Sequence, residues 1–497
     1  MSDKVVIRRF PTGVPGLDVV LGGGLPEFSF NLIAGAPGSG KTTLVQQIMF
    51  SLATPERPAL YFTVLGEPPL KMLRYQQQFT FFDMSKVNDS IRFVSLAEET
   101  ENNSLDKILE RITREVEALS PGIVVVDSFR SVMRTSKRTP SDELLSQHFV
   151  QQLAIRLTGW QATTFLIGEY QSAEVQSNPV FTIADGLLWL YQSVDRNSMV
   201  RKIQVMKIRG QAAIPGLHTF RITDEGLHVF PRLIVGSETS QPVEPSTEPV
   251  APLKRLSIGV KGLDEMLGGG IPTGYSILVA GPSGSGKTTL STEFLAEGVR
   301  QGEGGVVAVF EKRPRDYAVS ARSGQAFQRM VREGQIRLIH SRPLDLSIDE
   351  TLYDLTEAIR QVKARRLVVD SLSGFELALA PTFREDFRES LYRMVQSLTT
   401  MGVTVMLTAE LEDRYTDLRF SPHGTAFLTD AIILQRYVVL RGELRRIMGV
   451  VKVRASAHSN QLRAFEITPE TIVMGEVLRG YEGLLTGNPV SMEEIKD

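Results

Sequence analysis

Gly35-Ala36-Pro37-Gly38-Ser39-Gly40-Lys41-Thr42, returning as Gly281-Pro282-Ser283-Gly284-Ser285-Gly286-Lys287-Thr288, decides the fold of this chain. Each copy follows an apolar run, Phe30 to Ala34 or Ser276 to Ala280, and precedes a helix-like segment. That is the strand–loop–helix setting of a phosphate-binding loop. Glycines let the backbone wrap a polyphosphate so that several N–H groups and a helix N-terminus point at it. The expected nucleotide contacts are Gly35, Pro37, Gly38, Ser39, Gly40, Lys41, Thr42 and Thr43 in the first copy. Gly281, Ser283, Gly284, Ser285, Gly286, Lys287, Thr288 and Thr289 are their counterparts in the second. Lys41 and Lys287 would reach the β- and γ-phosphates of ATP, and Thr42 and Thr288 would hold Mg²⁺.

Working outward, a shift of about 245 residues aligns much more than the loops. Gly16-Leu17-Asp18 falls on Gly262-Leu263-Asp264, and Ile123 to Ser128 on Leu367 to Ser371. Met206-Lys207-Ile208-Arg209 falls on Val451-Lys452-Val453-Arg454. A domain of ordinary α/β size has been duplicated, as 497 residues allow. We expect a first domain over 1–233, a Pro-, Ser- and Glu-rich linker over 234–252, a second domain over 253–485 and a short tail over 486–497. Within each repeat, β-branched runs alternate with amphipathic stretches such as Ser104 to Leu119 and Ile348 to Val362. This predicts an α/β fold, a mostly parallel sheet covered by helices on both faces, with late antiparallel strands from Lys202 to Phe230 and Leu444 to Ile467. Ligands of such sheets lie at the carboxyl ends of the strands.

Composition removes several functions. The absence of cysteine excludes disulfides and thiolate metal sites, and the six histidines form no H-E-x-x-H arrangement. A formal charge of −2 gives no overall positive field for nucleic acid. The basic segments Arg134 to Arg138 and Arg441 to Arg446 read as solvated loops or subunit contacts. The N-terminus has no signal pattern and no apolar run reaches the length of a membrane span, so a cytoplasmic protein is expected.

Four sets of side chains outside the loops are candidates for chemistry. Asp127 and Asp370 end apolar strands and precede serine, the pattern of a carboxylate that orients Mg²⁺ water, although Asp or Ser there also caps helices. Glu311, in Phe310-Glu311-Lys312-Arg313-Pro314, is placed to act as a base. The first copy has Leu65 at the same position, and Glu67 two residues on either serves from a displaced position or ends a solvated strand before Pro68. Glu169 and Glu410 follow later strands, where a γ-phosphate sensor would sit. The pairs Lys207/Arg209 and Lys452/Arg454 have same-face spacing on a strand. They read as surface cations within one subunit, or as arginine-finger groups for a neighbour's nucleotide in a ring.

From Thr12-Gly13-Val14-Pro15-Gly16-Leu17-Asp18 to Tyr481-Glu482-Gly483-Leu484-Leu485-Thr486-Gly487, with Thr429-Asp430-Ala431-Ile432-Ile433-Leu434-Gln435 as its most specific portion, the chain resembles the KaiC family of cyanobacterial circadian-clock ATPases and KaiC-like bacterial proteins. The resemblance implies tandem RecA-like domains in a double-ring homohexamer with ATP between subunits, ATP hydrolysis in the first ring and serine/threonine autokinase activity in the second. It also implies regulatory partners of the KaiB kind. Three departures are expected to matter. Clock members carry two adjacent glutamates where Leu65-Gly66 stand, and in the second repeat only Glu311 of the pair remains. An adjacent Ser-Thr phosphorylation pair is replaced by Ala426-Phe427, which leaves Thr425 as the nearest hydroxyl and candidate phosphoacceptor, flanked by Ser421 and Thr429. The C-terminal activator-docking segment is mostly missing after the short tail. A RecA-type DNA-dependent ATPase or helicase, and a nucleotide-gated scaffold with little turnover, are the competing readings.

Overall fold

Valine-rich runs such as Ile123-Val124-Val125-Val126 alternate their side chains between two faces, and both faces are covered here. Val124 and Val126 enter one apolar cluster, and Ile123 and Val125 enter the other. The structure, a computed structural model, describes residues 6–64, 69–101, 105–134, 140–176, 178–195, 198–232, 254–311, 313, 317, 324–340, 346–384, 387–411, 427–469, 471–485 and 489–491. Glu67, Thr425, the stretch 234–252 and most of 486–497 therefore lie outside the described residues.

The chain divides into two units, Met1–Arg232 and Leu233–Asp497. In the first, the strands of the large sheet are β1 (Phe30–Gly35), β2 (Ala59–Thr63), β3 (Ile91–Ser95), β4 (Ile123–Asp127), β5 (Thr163–Gly168), β6 (Gly186–Asp195), β7 (Ser198–Ile208), β8 (His218–Thr223) and β9 (Gly226–Phe230). Their order is β9-β8-β7-β6-β1-β5-β4-β2-β3. Pairing is parallel from β3 through β6 and antiparallel from β6 through β9.

The second unit repeats this with β10 (Ser276–Gly281), β11 (Gly304–Val309), β12 (Ile336–His340), β13 (Ala364–Asp370), β14 (Thr404–Glu410), β15 (Ala431–Leu440), β16 (Glu443–Val453), β17 (Arg463–Ile467) and β18 (Ile472–Val477). The order β18-β17-β16-β15-β10-β14-β13-β11-β12 is the first order shifted by nine. The fold is α/β, with two tandem RecA-like domains. The amphipathic stretches are helices, α2 (Leu105–Leu119) and α5 (Ile348–Val362), and α5 is capped where Ser347 Oγ accepts from Glu350 N at 3.1 Å. No helix among the described residues is long and apolar enough to cross a membrane.

Both phosphate loops connect a central strand to a helix, β1 to α1 (Lys41–Leu52) and β10 to α4 (Lys287–Arg300). Gly40 and Gly286 precede these helices at φ of 99° and 108°, where a β-carbon is strained. Such a carbon would also stand 2.7 Å from Ile222 Cδ1 on β8 or Ile467 Cδ1 on β17. The antiparallel extension thus presses an isoleucine against each loop, which gives it a role in shaping the site.

Candidate functional site

At the carboxyl ends of the parallel strands the lysine of each loop folds back onto loop carbonyls. Lys41 Nζ donates to Ala36 O at 2.7 Å, and Lys287 Nζ donates to Gly281 O at 2.8 Å and Pro282 O at 2.7 Å. Burial holds the Lys41 ammonium below its usual value, while the carboxylates of Glu169 and Asp127 act to raise it. Thr42 Oγ1 donates to Asp127 Oδ2 at 2.8 Å, and Thr288 Oγ1 to Asp370 Oδ2 at 2.8 Å. The loop threonine and the strand-end aspartate therefore meet in both copies, a pairing of hard oxygen donors suited to Mg²⁺. Among the described residues no cluster of three or more His, Asp or Glu side chains could hold a metal alone, so such a cation would draw on threonine, phosphate and water. Ser39 Oγ is buried without a partner among the described residues, whereas Ser285 Oγ donates to Gln435 Oε1 at 3.1 Å.

In the second unit a cavity of about 290 Å³ brings together Lys287, Thr288, Asp370, Glu311, Glu410 and Arg446, with Ser283, Gly284, Gly286 and Thr289 of the loop in its wall. Glu311 lies just past the carboxyl end of β11, and Glu410 ends β14. Ser371 joins two functions there. Its Oγ accepts from Gly374 N at 3.2 Å, capping α6 (Leu372–Ala378), and donates to Glu311 Oε1 at 2.9 Å. A β-carbon on Gly374 would stand 2.5 Å from Glu311 Cγ, so glycine there leaves the glutamate its place. In the first unit Ser131 stands at that helical position, in α3 (Phe129–Arg134), and its Oγ is 2.9 Å from that of Ser128. Of the two alternatives raised by Asp-Ser, the helix cap is present at Ser371, and Asp370 beside it meets the loop threonine.

Glu169 follows β5 with its side chain exposed, and its carbonyl accepts from Arg130, which also pairs with Glu174 at 2.7 Å. The late basic pairs stand apart from the loops of their own domain. β7 and β16 run antiparallel to β6 and β15, which places Lys207/Arg209 and Lys452/Arg454 at the opposite end of each sheet. Arg209 pairs with Asp185 at 2.8 Å and Lys207 Nζ donates to Thr182 O at 2.9 Å. Arg454 pairs with Asp430 at 3.1 Å and Lys452 Nζ donates to Thr429 O at 2.6 Å. A bulge at Met206 and at Val451 interrupts the alternation just before each lysine.

The structure corrects one reading and adds two groups. Arg446 does not lie on a solvated basic loop; it is on β16, half-buried, with its guanidinium 5.4 Å from the Tyr437 ring and its Nε, at the cavity, without a partner among the described residues. Arg201 holds the equivalent place on β7, again with a buried Nε that has no partner among the described residues. The recurrence of arginine at the same repeat position is the signal that could have found them. The second group contains the hydroxyls on the metal-type aspartates: Tyr61 donates to Asp127 Oδ2 at 2.7 Å, and Thr408 to Asp370 Oδ1 at 2.7 Å. Burial pushes the Asp127 carboxyl up against the opposing pull of Tyr61 and Thr42, and burial raises the Tyr61 phenol well above its usual range. Tyr317 is a second buried phenol beside Asp370, but its hydroxyl makes no hydrogen bond of acceptable geometry among the described residues.

The family model of the KaiC ATPase matches residues 10–234 and 256–478. The chain belongs to the KaiC ATPase family. It is 27% identical over 97% of its length to a circadian clock oscillator protein KaiC of Picosynechococcus sp., covering 92% of that relative. The corresponding protein of Rippkaea orientalis gives the same identity and coverage. That of Thermostichus vulcanus is 26% identical over 98% of this chain and 93% of its own. Family membership makes this an ATP-binding protein of the KaiC type with two ATPase domains.

Proposed function

We propose that both domains bind ATP with Mg²⁺ and that the second is the site of phosphoryl transfer, to water and to a hydroxyl of the chain itself. The observation that carries this is the convergence of Glu311, Asp370, Thr288 and Lys287 on one cavity. Lys287 and the loop N–H groups bind the β- and γ-phosphates, and Thr288 and Asp370 would hold the cation. A cation held there would supply neutralisation of charge on the transferring phosphoryl group. Glu311, held through Oε1 by Ser371, takes the proton of the attacking oxygen; the γ-phosphoryl group moves to that oxygen and ADP leaves. When water attacks, the product is free phosphate; when a hydroxyl attacks, the product is a phosphorylated chain, for which Thr425 is the nearest candidate in sequence.

The chain acts as a homohexameric ring in the cytoplasm, in which Lys207/Arg209 and Lys452/Arg454 reach the nucleotide of the adjacent subunit. Their position at the sheet end opposite their own loops supports a role in trans. Output is a change of shape with nucleotide state, read by a regulatory partner of the KaiB kind.

The test is incubation with γ-labelled ATP and Mg²⁺, comparing the wild type with Lys287→Ala and Glu311→Gln. Label on the protein and in free phosphate, both lost in either variant, is the expected result. Phosphate release that persists in both variants would move the chemistry to the first domain and overturn this assignment.

A further inference from the structure

The two strand-end aspartates are anchored by different side chains. Asp127 Oδ2 accepts from Thr42 Oγ1 and from the Tyr61 hydroxyl, at 2.8 and 2.7 Å. Asp370 accepts from Thr288 on Oδ2 and from Thr408 on Oδ1, at 2.8 and 2.7 Å. The loop threonine is shared between copies, but the second donor is not.

Strand register shows how each copy obtains it. β4 lies between β5 and β2, and Asp127 stands directly opposite Ile167 of β5. In the second sheet Val369 stands opposite Leu407, which brings Asp370 to Thr408 of β14. Ile167 thus occupies the place of Thr408 and has no hydrogen to donate. On the other side, Tyr61 of β2 pairs opposite Val125, and Val307 of β11 pairs opposite Val368 at the matching place. Where one neighbouring strand lost its hydroxyl, the other supplies one. Tyr61 is fully buried, so water cannot replace its hydrogen bond.

We propose that Tyr61 is a positioning residue of the first nucleotide site, holding the Asp127 carboxylate in the orientation that receives a Mg²⁺-nucleotide, as Thr408 does for Asp370. This rests on the reading of Asp127 as a metal-orienting group. It also separates the two sites chemically, because both donors converge on one oxygen of Asp127 while Asp370 is held through both of its oxygens.

The test uses the full chain carrying Lys287→Ala, so that only the first loop is intact, and a fluorescent ATP analogue titrated with Mg²⁺ or with EDTA. Tyr61→Phe keeps the ring and removes the donor. It is expected to weaken Mg²⁺-nucleotide binding about tenfold, the scale of one hydrogen bond to a charged group. Binding in EDTA should change less than about twofold, which reports an intact loop and fold. Adding Ile167→Thr should restore the Mg²⁺-dependent part. Unchanged Mg²⁺ binding in Tyr61→Phe, equal loss with and without Mg²⁺, or no rescue by Ile167→Thr would each overturn the assignment. A parent that binds nucleotide equally in Mg²⁺ and EDTA would remove the metal reading of Asp127 and this inference with it.

Discussion

Ser371→Ala separates positioning of the base from the base itself. The serine hydroxyl makes two bonds, accepting from Gly374 N at 3.2 Å and donating to Glu311 Oε1 at 2.9 Å. Losing the helix cap costs about 1 kcal/mol of stability, and for a domain of this size that lowers the melting temperature by about 3 °C. Losing the bond to a carboxylate costs about 1.5 kcal/mol, the lower end of the range because Glu311 is exposed, and lowers turnover about tenfold. Phosphate release under saturating ATP and differential scanning fluorimetry read the two effects separately. Ser371→Thr, which keeps the hydroxyl, should retain most of the turnover. In the Glu311→Gln background Ser371→Ala should cost little further turnover, because the carboxylate it positions is gone. Wild-type turnover in Ser371→Ala, or losses that simply multiply in the double variant, would refute the claim that Ser371 holds the base.

Two further outcomes follow from the geometry. If Arg454 acts on a neighbour's nucleotide, Arg454→Ala and Lys287→Ala chains should each be inactive alone, and mixed rings should recover turnover; no recovery on mixing would place Arg454 with the Asp430 ion pair only. Acid should destabilise the first domain through His218, whose Nδ1 accepts from Arg232 N at 2.8 Å and which burial holds below its usual 6.5. The folded state disfavours the imidazolium, so this contribution is full above about 6.5 and is lost as pH falls toward the lowered folded value. Melting temperatures from pH 8 to 5 should fall less steeply for His218→Gln than for wild type.

What the sequence revealed follows the range over which each feature is specified. The loops, the helix α5 and the ends of β4 and β13 are local: spacing and apolar periodicity over a few residues define them, and they stand where that pattern puts them. The cavity residues Glu311 and Glu410 were legible because each sits at the carboxyl end of a strand in a parallel sheet. Tyr61 and Thr408 were not, since their function depends on which strand lies beside the aspartate, and strand order is a long-range property. Arg446 was hidden by its company. In Arg441 to Arg446 a run of charge reads as solvated surface, yet strand pairing with Tyr437 turns its last member toward the loop.

The duplication offers a comparison in which the fold is held constant. Around the loops the two copies share a lysine folded onto its loop, a threonine 2.8 Å from the aspartate and an arginine whose Nε has no partner among the described residues. Groups around the serine that follows each strand-end aspartate differ. The second copy has Glu311, a serine that donates to it and a glycine that makes room for it; the first has Leu65, and Ser128 paired with Ser131. Ser128, the counterpart of Ser371, already has its hydroxyl engaged by Ser131. Ser131 and Ile167 are matched to their neighbours, Ser128 and Asp127, and not to the loop they serve, so function does not transfer between the copies by a change in the loop alone.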